Sequence, residues 1–140
     1  MTVHGLFDED DSRARAIAAN SALHDLAFRE LRAGNLQQAQ ELFSRGREQV
    51  FREGWDGFVP YVCVAGAALA RAEGDHRRAA LLAGVAHAAF VALDQVPDPG
   101  DHAELAQVRH AATEALGPAG FAAEYARGRQ LDPRAAFATT

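Results

Sequence analysis

The sequence predicts an all-α protein, and three observations carry that prediction. Alanine supplies much of a hydrophobic fraction of 49%, and alanine is the best helix former. β-Branched residues are sparse, with Ile17 the one isoleucine and threonine confined to Thr2, Thr113, Thr139 and Thr140, a composition that disfavours strands. Apolar residues recur at three- and four-residue intervals between Gly, Asp and Pro punctuation, which is the period of an amphipathic helix. A chain of 140 residues suits one domain with a single modest core.

The elements follow in order. Met1 to Asp11 reads as a flexible acidic N-terminus. Asp8-Glu9-Asp10-Asp11-Ser12 suits the positive end of a helix, with Asp11 or Ser12 as the cap. Ile17, Leu23, Leu26, Phe28 and Leu31 mark the first helix, which Gly34-Asn35 stops. Leu36, Ala39, Leu42, Phe43, Gly46, Val50 and Phe51 mark the second, ending near Gly54. A third begins at Asp56 or Gly57, tolerates Pro60 in its first turn and runs to Gly74. Asp75 caps a fourth, through Ala79, Leu82, Val85, Ala86, Phe90 and Leu93. Pro97-Asp98-Pro99-Gly100 is a loop. Asp101 and Glu104 have capping-box spacing and open a fifth helix over Leu105, Val108, Ala112 and Leu116. Gly117-Pro118 ends it and starts a sixth with Phe121, Ala122 and Tyr125, before a short turn from Asp132-Pro133 to Phe137. The organisation expected is a hairpin over 12–54, a second over 56–95, and a degenerate capping hairpin over 101–138.

Charge and composition exclude several functions. All 14 basic residues are arginine, as in a GC-rich bacterial genome, yet they form no basic stripe. The net charge of −5 predicts no affinity for nucleic-acid phosphates. No apolar run reaches the ~18 residues that span a bilayer, and the acidic N-terminus is unlike a signal peptide. A lone cysteine, Cys63, allows no internal disulfide and fits a reducing cytoplasm.

The chain repeats itself. Leu31-Arg32-Ala33-Gly34-Asn35-Leu36-Gln37-Gln38-Ala39 aligns with Arg71-Ala72-Glu73-Gly74-Asp75-His76-Arg77-Arg78-Ala79 at an offset of 40 residues. Each copy reads as helix, Gly-Asn or Gly-Asp turn, then helix. In this it resembles the tetratricopeptide family, whose helix–turn–helix unit has about 34 residues. Leu23, Leu26, Ala27, Ala39, Phe43 and Gly46 match the family pattern in the first copy, and Cys63, Gly66, Ala67, Ala79, Ala83 and Ala86 in the second. Glu30 and Ala70 stand where the family has tyrosine, and Phe51 and Val91 where it has its closing proline. A degenerate last unit is what a capping repeat looks like.

A narrower resemblance covers roughly residues 58 to 137. Glu73-Gly74-Asp75, Ala79-Ala80-Leu81-Leu82-Ala83-Gly84-Val85-Ala86, and Leu116-Gly117-Pro118-Ala119-Gly120-Phe121 through to Gly128 are similar to the C-terminal helical region of actinobacterial LuxR-type and related ATPase-containing transcription regulators. The P-loop of such regulators has no counterpart here, and no helix-turn-helix reader is expected within these residues.

Residues able to carry chemistry are few. Of His4, His24, His76, His87, His102 and His110, only His110 with Glu114 has the helical spacing of metal ligands, and no further ligand joins them. Cys63 occupies a slot that the repeat reserves for a packed residue and reads as an inert thiol. Phe51, Trp55, Phe58 and Tyr61 cluster at the junction between hairpins, where they serve either inter-repeat packing or an interface. No metal, cofactor or catalytic group is expected, and the protein reads as a non-enzyme.

The tetratricopeptide resemblance implies a concave groove lined by the first helix of each unit. Carried over position by position, the lining is His24, Phe28, Leu31 and Arg32, then Tyr61, Val64, Ala68 and Arg71. The resemblance implies a scaffold or regulatory module that binds a protein segment or a second copy of itself through that face. The alternative is a small-molecule sensor with its pocket in the groove. The lysine/asparagine clamp with which chaperone-binding members grip a C-terminal carboxylate is absent.

Overall fold

The computed structural model describes residues 3–138. It is all-α, with six helices, one 3-10 turn and no strand among the described residues. The helices are α1 (Val3–Arg32), α2 (Leu36–Glu53), α3 (Val59–Ala72), α4 (His76–Ala92), α5 (Pro99–Arg129) and α6 (Pro133–Ala138), and the 3-10 turn Asp56–Phe58 leads into α3.

Two compact units divide the chain, Met1–Gly46 and Arg47–Thr140. In the first, α1 and the start of α2 form an antiparallel hairpin. Asn20 Nδ2 donates to the Gly46 carbonyl at 3.1 Å, and His24 and Phe28 set their rings edge-on to Phe43 at 5.9 and 5.0 Å. In the second unit α3 packs on α4 and α5, and α4 also meets α6. Its core holds Cys63, Val64, Ala67, Leu82, Val85, Phe90, Val108 and Ala136. At the crossing of α4 and α5 the two backbones touch. A Cβ built on Gly84 would strike the Tyr125 carbonyl, and one on Gly128 the Leu81 carbonyl, so only glycine permits this approach.

The forty-residue repeat is present in the backbone. Gly34 and Gly74 take φ of 87° and 81°. Asn35 N–H and Asp75 N–H donate back to the Glu30 and Ala70 carbonyls, both at 2.9 Å. This is the longer of the two bonds that close a Schellman motif. The repeat extends to the other end of each hairpin, which the sequence analysis does not anticipate. Gly54 (φ 69°) and Asp94 (φ 53°), again forty residues apart, end α2 and α4. There Trp55 and Gln95 N–H donate to the Val50 and Phe90 carbonyls at 3.0 and 2.9 Å. Asp94 thus fills a left-handed position that glycine fills in the three equivalent turns, at some steric cost. Asp94→Gly is expected to stabilise the fold by about 0.5 kcal/mol, the steric relief exceeding glycine's added chain entropy. Chemical denaturation reads it, and a loss of stability would show that the Asp94 side chain does more than tolerate the turn.

Two boundaries differ from the sequence reading. Helix α1 begins at Val3, so Asp11 and Ser12 are exposed residues within a helix rather than its cap, and the acidic run does not interrupt helical hydrogen bonding. The cap of α5 is Asp98, whose Oδ1 accepts from Asp101 N–H at 2.9 Å. Asp101 therefore sits inside the first turn, because Pro99 is pre-set for the first helical position. The break expected at Gly117-Pro118 is present within α5, where two helical segments meet at a kink. Gly117 alone leaves the helical region (φ 78°, ψ 162°), and the helix resumes at Pro118. A residue before proline is driven out of the helical region, while proline opens a new first turn at no cost in hydrogen bonds. The expected cap at Asp75 is present, with Oδ1 accepting from Arg78 N–H at 3.1 Å.

Candidate functional site

The eight groove positions separate by unit. In the first, His24 lies edge-on to Phe28 at 5.0 Å, and the Arg32 guanidinium stands 5.4 Å from the Phe28 ring centre. Leu31 is half-buried, Arg32 is exposed, and Phe28 is buried with 7% of its surface accessible. In the second, Tyr61 is half-buried with its ring edge-on to Phe90 at 5.6 Å. Arg71 is half-buried, and its Nε has no hydrogen-bond partner among the described residues.

Val64 and Ala68 correct the expectation, since both are fully buried at 0% exposure and present no surface to a partner. The reason is legible in α3 itself. Val59–Ala72 carries one charged residue, Arg71, and buries Cys63, Val64, Ala65, Ala67, Ala68, Leu69 and Ala70. A helix that is apolar on every side is a buried one, and over Cys63–Ala65 and Ala67–Ala70 α3 is buried.

An accessible apolar concavity of the second unit lies elsewhere. An open cleft of about 410 Å³ runs between the start of α3 and the end of α4, closed by the α5–α6 connection. Val59 and Pro60 line one wall and Ala88, Ala89, Ala92 and Leu93 the other, with Leu131, Pro133 and Arg134 at the closed end. Helix α4 supplies its wall because it carries two apolar stripes. Ala79, Leu82, Ala83, Val85, Ala86 and Phe90 belong to the core, while Ala88, Ala89 and Ala92, the last lying four and three residues beyond the other two, turn to the cleft. The second stripe is visible in the sequence, though alanines weaken its contrast. Beyond it Val91 and Val96 are 66% and 82% exposed. At the closed end Arg134 is held in place, its Nη2 donating to the Phe51 carbonyl at 2.8 Å and its guanidinium 4.8 Å from the Phe51 ring centre. Asp56 and Asp132 add carboxylates to the lining.

Other reactive groups are placed as follows. Cys63 is fully buried, and that burial pushes its thiol up to about 12, so at neutral pH it is neither a thiolate nucleophile nor a ready ligand. His110 and Glu114 form an exposed pair at 3.6 Å, and no group of three His, Cys, Asp or Glu side chains converges among the described residues. Asp101 is the exception among the carboxyls. It is buried at the start of α5, and burial, reinforced by the hydrogen bond and charge of Asp98 and by Glu104, pushes it up to about 7. The Tyr61 hydroxyl is raised as well, first by burial and then by the charges of Asp101 and Asp98. Sequence reasoning misses this cluster because Asp101 looks like a solvated cap.

Among the described residues no helix is long and apolar enough to cross a membrane. Compared with family models, curated proteins and solved structures, the chain matches none of them.

Proposed function

We propose that this protein is a non-catalytic interaction module that takes an apolar protein segment into the cleft between α3, α4 and the α5–α6 connection. The observation that carries the reading is the second apolar stripe of α4, which opens on a concave surface instead of a neighbouring helix. Side chains spaced along one face of a bound helix or strand would bury there, and Asp56 and Asp132 at the cleft would set orientation against a basic group. The forty-residue hairpin repeat supports a tetratricopeptide-like scaffold, and the buried Cys63 supports a role without nucleophilic chemistry. The resemblance to the helical region of bacterial regulators supports a regulatory task in the cytoplasm. A second copy of the chain is among the partners this surface would accept.

The test is Ala89→Arg, which fills the cleft from a half-buried position. Light scattering on the wild type reports self-association, and site-specific cross-linking from Ala92 in cells reports other partners. Partner capture or dimer formation by the wild type, lost in Ala89→Arg at an unchanged thermal midpoint, supports the proposal. Equal association by both proteins overturns it.

A second reading, a small-molecule sensor, draws on the cleft volume of about 410 Å³, which falls in the usual range for small-ligand sites. A thermal-shift screen of apolar compounds separates the two, because a ligand of the folded state raises its midpoint in the wild type and not in Ala89→Arg.

A further inference from the structure

The bend at Gly117 creates a second concavity, built from α5 alone. Its two halves enclose an open cleft of about 550 Å³ lined by Arg109 and Thr113 before the bend and by Pro118, Phe121, Tyr125 and Arg129 after it. Two aromatic rings support it. Phe121 is buried, and its ring centre is 5.4 Å from that of Tyr125, which also meets His87 at 5.8 Å. The Arg109 guanidinium stands over both rings, 5.1 Å from the Phe121 centre and 5.5 Å from the Tyr125 centre.

The charge here is opposite to that of the protein. The chain carries a net −5, yet the cleft is lined by two arginines and no carboxylate. The nearby acidic residues are engaged elsewhere, Glu124 with Arg127 at 3.2 Å and Glu114 with His110 at 3.6 Å. Among the described residues neither Arg109 nor Arg129 has a carboxylate within ion-pair distance. A guanidinium stacked on aromatic rings keeps its planar fork of donors free at the edge, suited to a carboxylate. A bare inorganic anion would leave the apolar lining of Pro118, Ala122 and Ala126 unused. A carboxylate on an apolar body would use both it and the arginines.

We propose that the α5 cleft binds an acidic segment of a protein partner, one whose Glu or Asp carboxylate meets Arg109 and Arg129 while a neighbouring apolar side chain rests on Pro118, Ala122 and Ala126 beside Tyr125. Thr113 offers the carboxylate a hydroxyl donor. The site shares no residue with the α3–α4 cleft, so its success or failure is separate from that of the function proposed above.

The test is fluorescence anisotropy of short labelled peptides alternating Leu with Glu, with Gln and with Lys. The Leu/Glu peptide is expected to bind, and to bind more weakly as salt rises. The Gln peptide is expected to bind about tenfold more weakly, as loss of one charge-assisted contact implies, and the Lys peptide not at all. The double variant Arg109→Gln/Arg129→Gln should lose the preference for Glu, while Ala89→Arg should keep it. Equal affinity for the Glu and Gln peptides, or an unchanged preference in the double variant, overturns the proposal. Should the double variant not fold, chemical-shift mapping on the wild type decides. Perturbation by the Leu/Glu peptide centred on Thr113, Phe121 and Tyr125 supports the site, and perturbation elsewhere overturns it.

Discussion

Gly128→Ala is expected to destabilise the fold by about 3 kcal/mol or more, and Gly84→Ala to do the same. At an exposed helical position the same change gains up to about 1 kcal/mol of helix propensity, so the sign itself is diagnostic. At Gly128 the new methyl would meet the Leu81 carbonyl and lie 3.1 Å from the Val85 nitrogen; at Gly84 it would meet the Tyr125 carbonyl and lie 3.1 Å from the Arg129 nitrogen. These are backbone atoms of helices, unable to swing away as a side-chain tip does. Relief requires α4 and α5 to separate, which opens the core between them, and overpacking of this kind costs about 1–3 kcal/mol even where side chains alone must move. Gly100→Ala in the first turn of the same helix is the control, since its methyl would lie 3.5 Å from Asp98 Oδ1 and should be neutral or mildly stabilising. Urea denaturation of the three variants gives the comparison, and a neutral Gly128→Ala would show that the helices do not meet backbone to backbone.

The second large effect is a dependence of stability on pH that runs opposite to the usual one for a carboxyl. Asp101, pushed up to about 7 by burial and by Asp98, keeps its proton in the folded protein when an unfolded chain would already have released it. The folded state therefore binds more protons, and this contribution to stability is full below pH about 4. It is lost as pH rises from there to about 7 and stays flat above. Each unit of pKa difference corresponds to about 1.36 kcal/mol. The positive end of α5 favours the ionised form and offsets part of that, so a fall of about 2 kcal/mol across the window is expected. Asp101→Asn should flatten it. Denaturation midpoints of the two proteins between pH 4 and 8 give the difference directly, and parallel curves would show that Asp101 ionises freely in the fold.

Much of the local architecture is legible in the sequence. The Gly34-Asn35 and Gly74-Asp75 turns, the cap at Asp75 and the helical interruption at Gly117-Pro118 all stand where they are read, because each depends on a few neighbouring residues. Asp94 escapes notice because an aspartate at a left-handed position looks like any polar loop residue.

The candidate site is less legible than the fold. Helical periodicity names the apolar stripes of a helix but not the neighbour each stripe meets, since that pairing is settled by contacts between residues distant in the chain. Val64 and Ala68 are read as groove positions from a family pattern, yet both are fully buried in α3; the second stripe of α4, which no pattern singles out, opens on the cleft. The sequence by itself determines that the chain is helical, where most helices stop, and that its hairpins repeat every forty residues, all properties of local backbone preference. Tertiary structure alone decides that Asp101 is buried, that Gly84 and Gly128 each admit the backbone of the opposite helix, and that Arg109 stacks on Phe121 and Tyr125. Burial, close approach and electrostatic environment belong to the assembled helices and to no segment on its own.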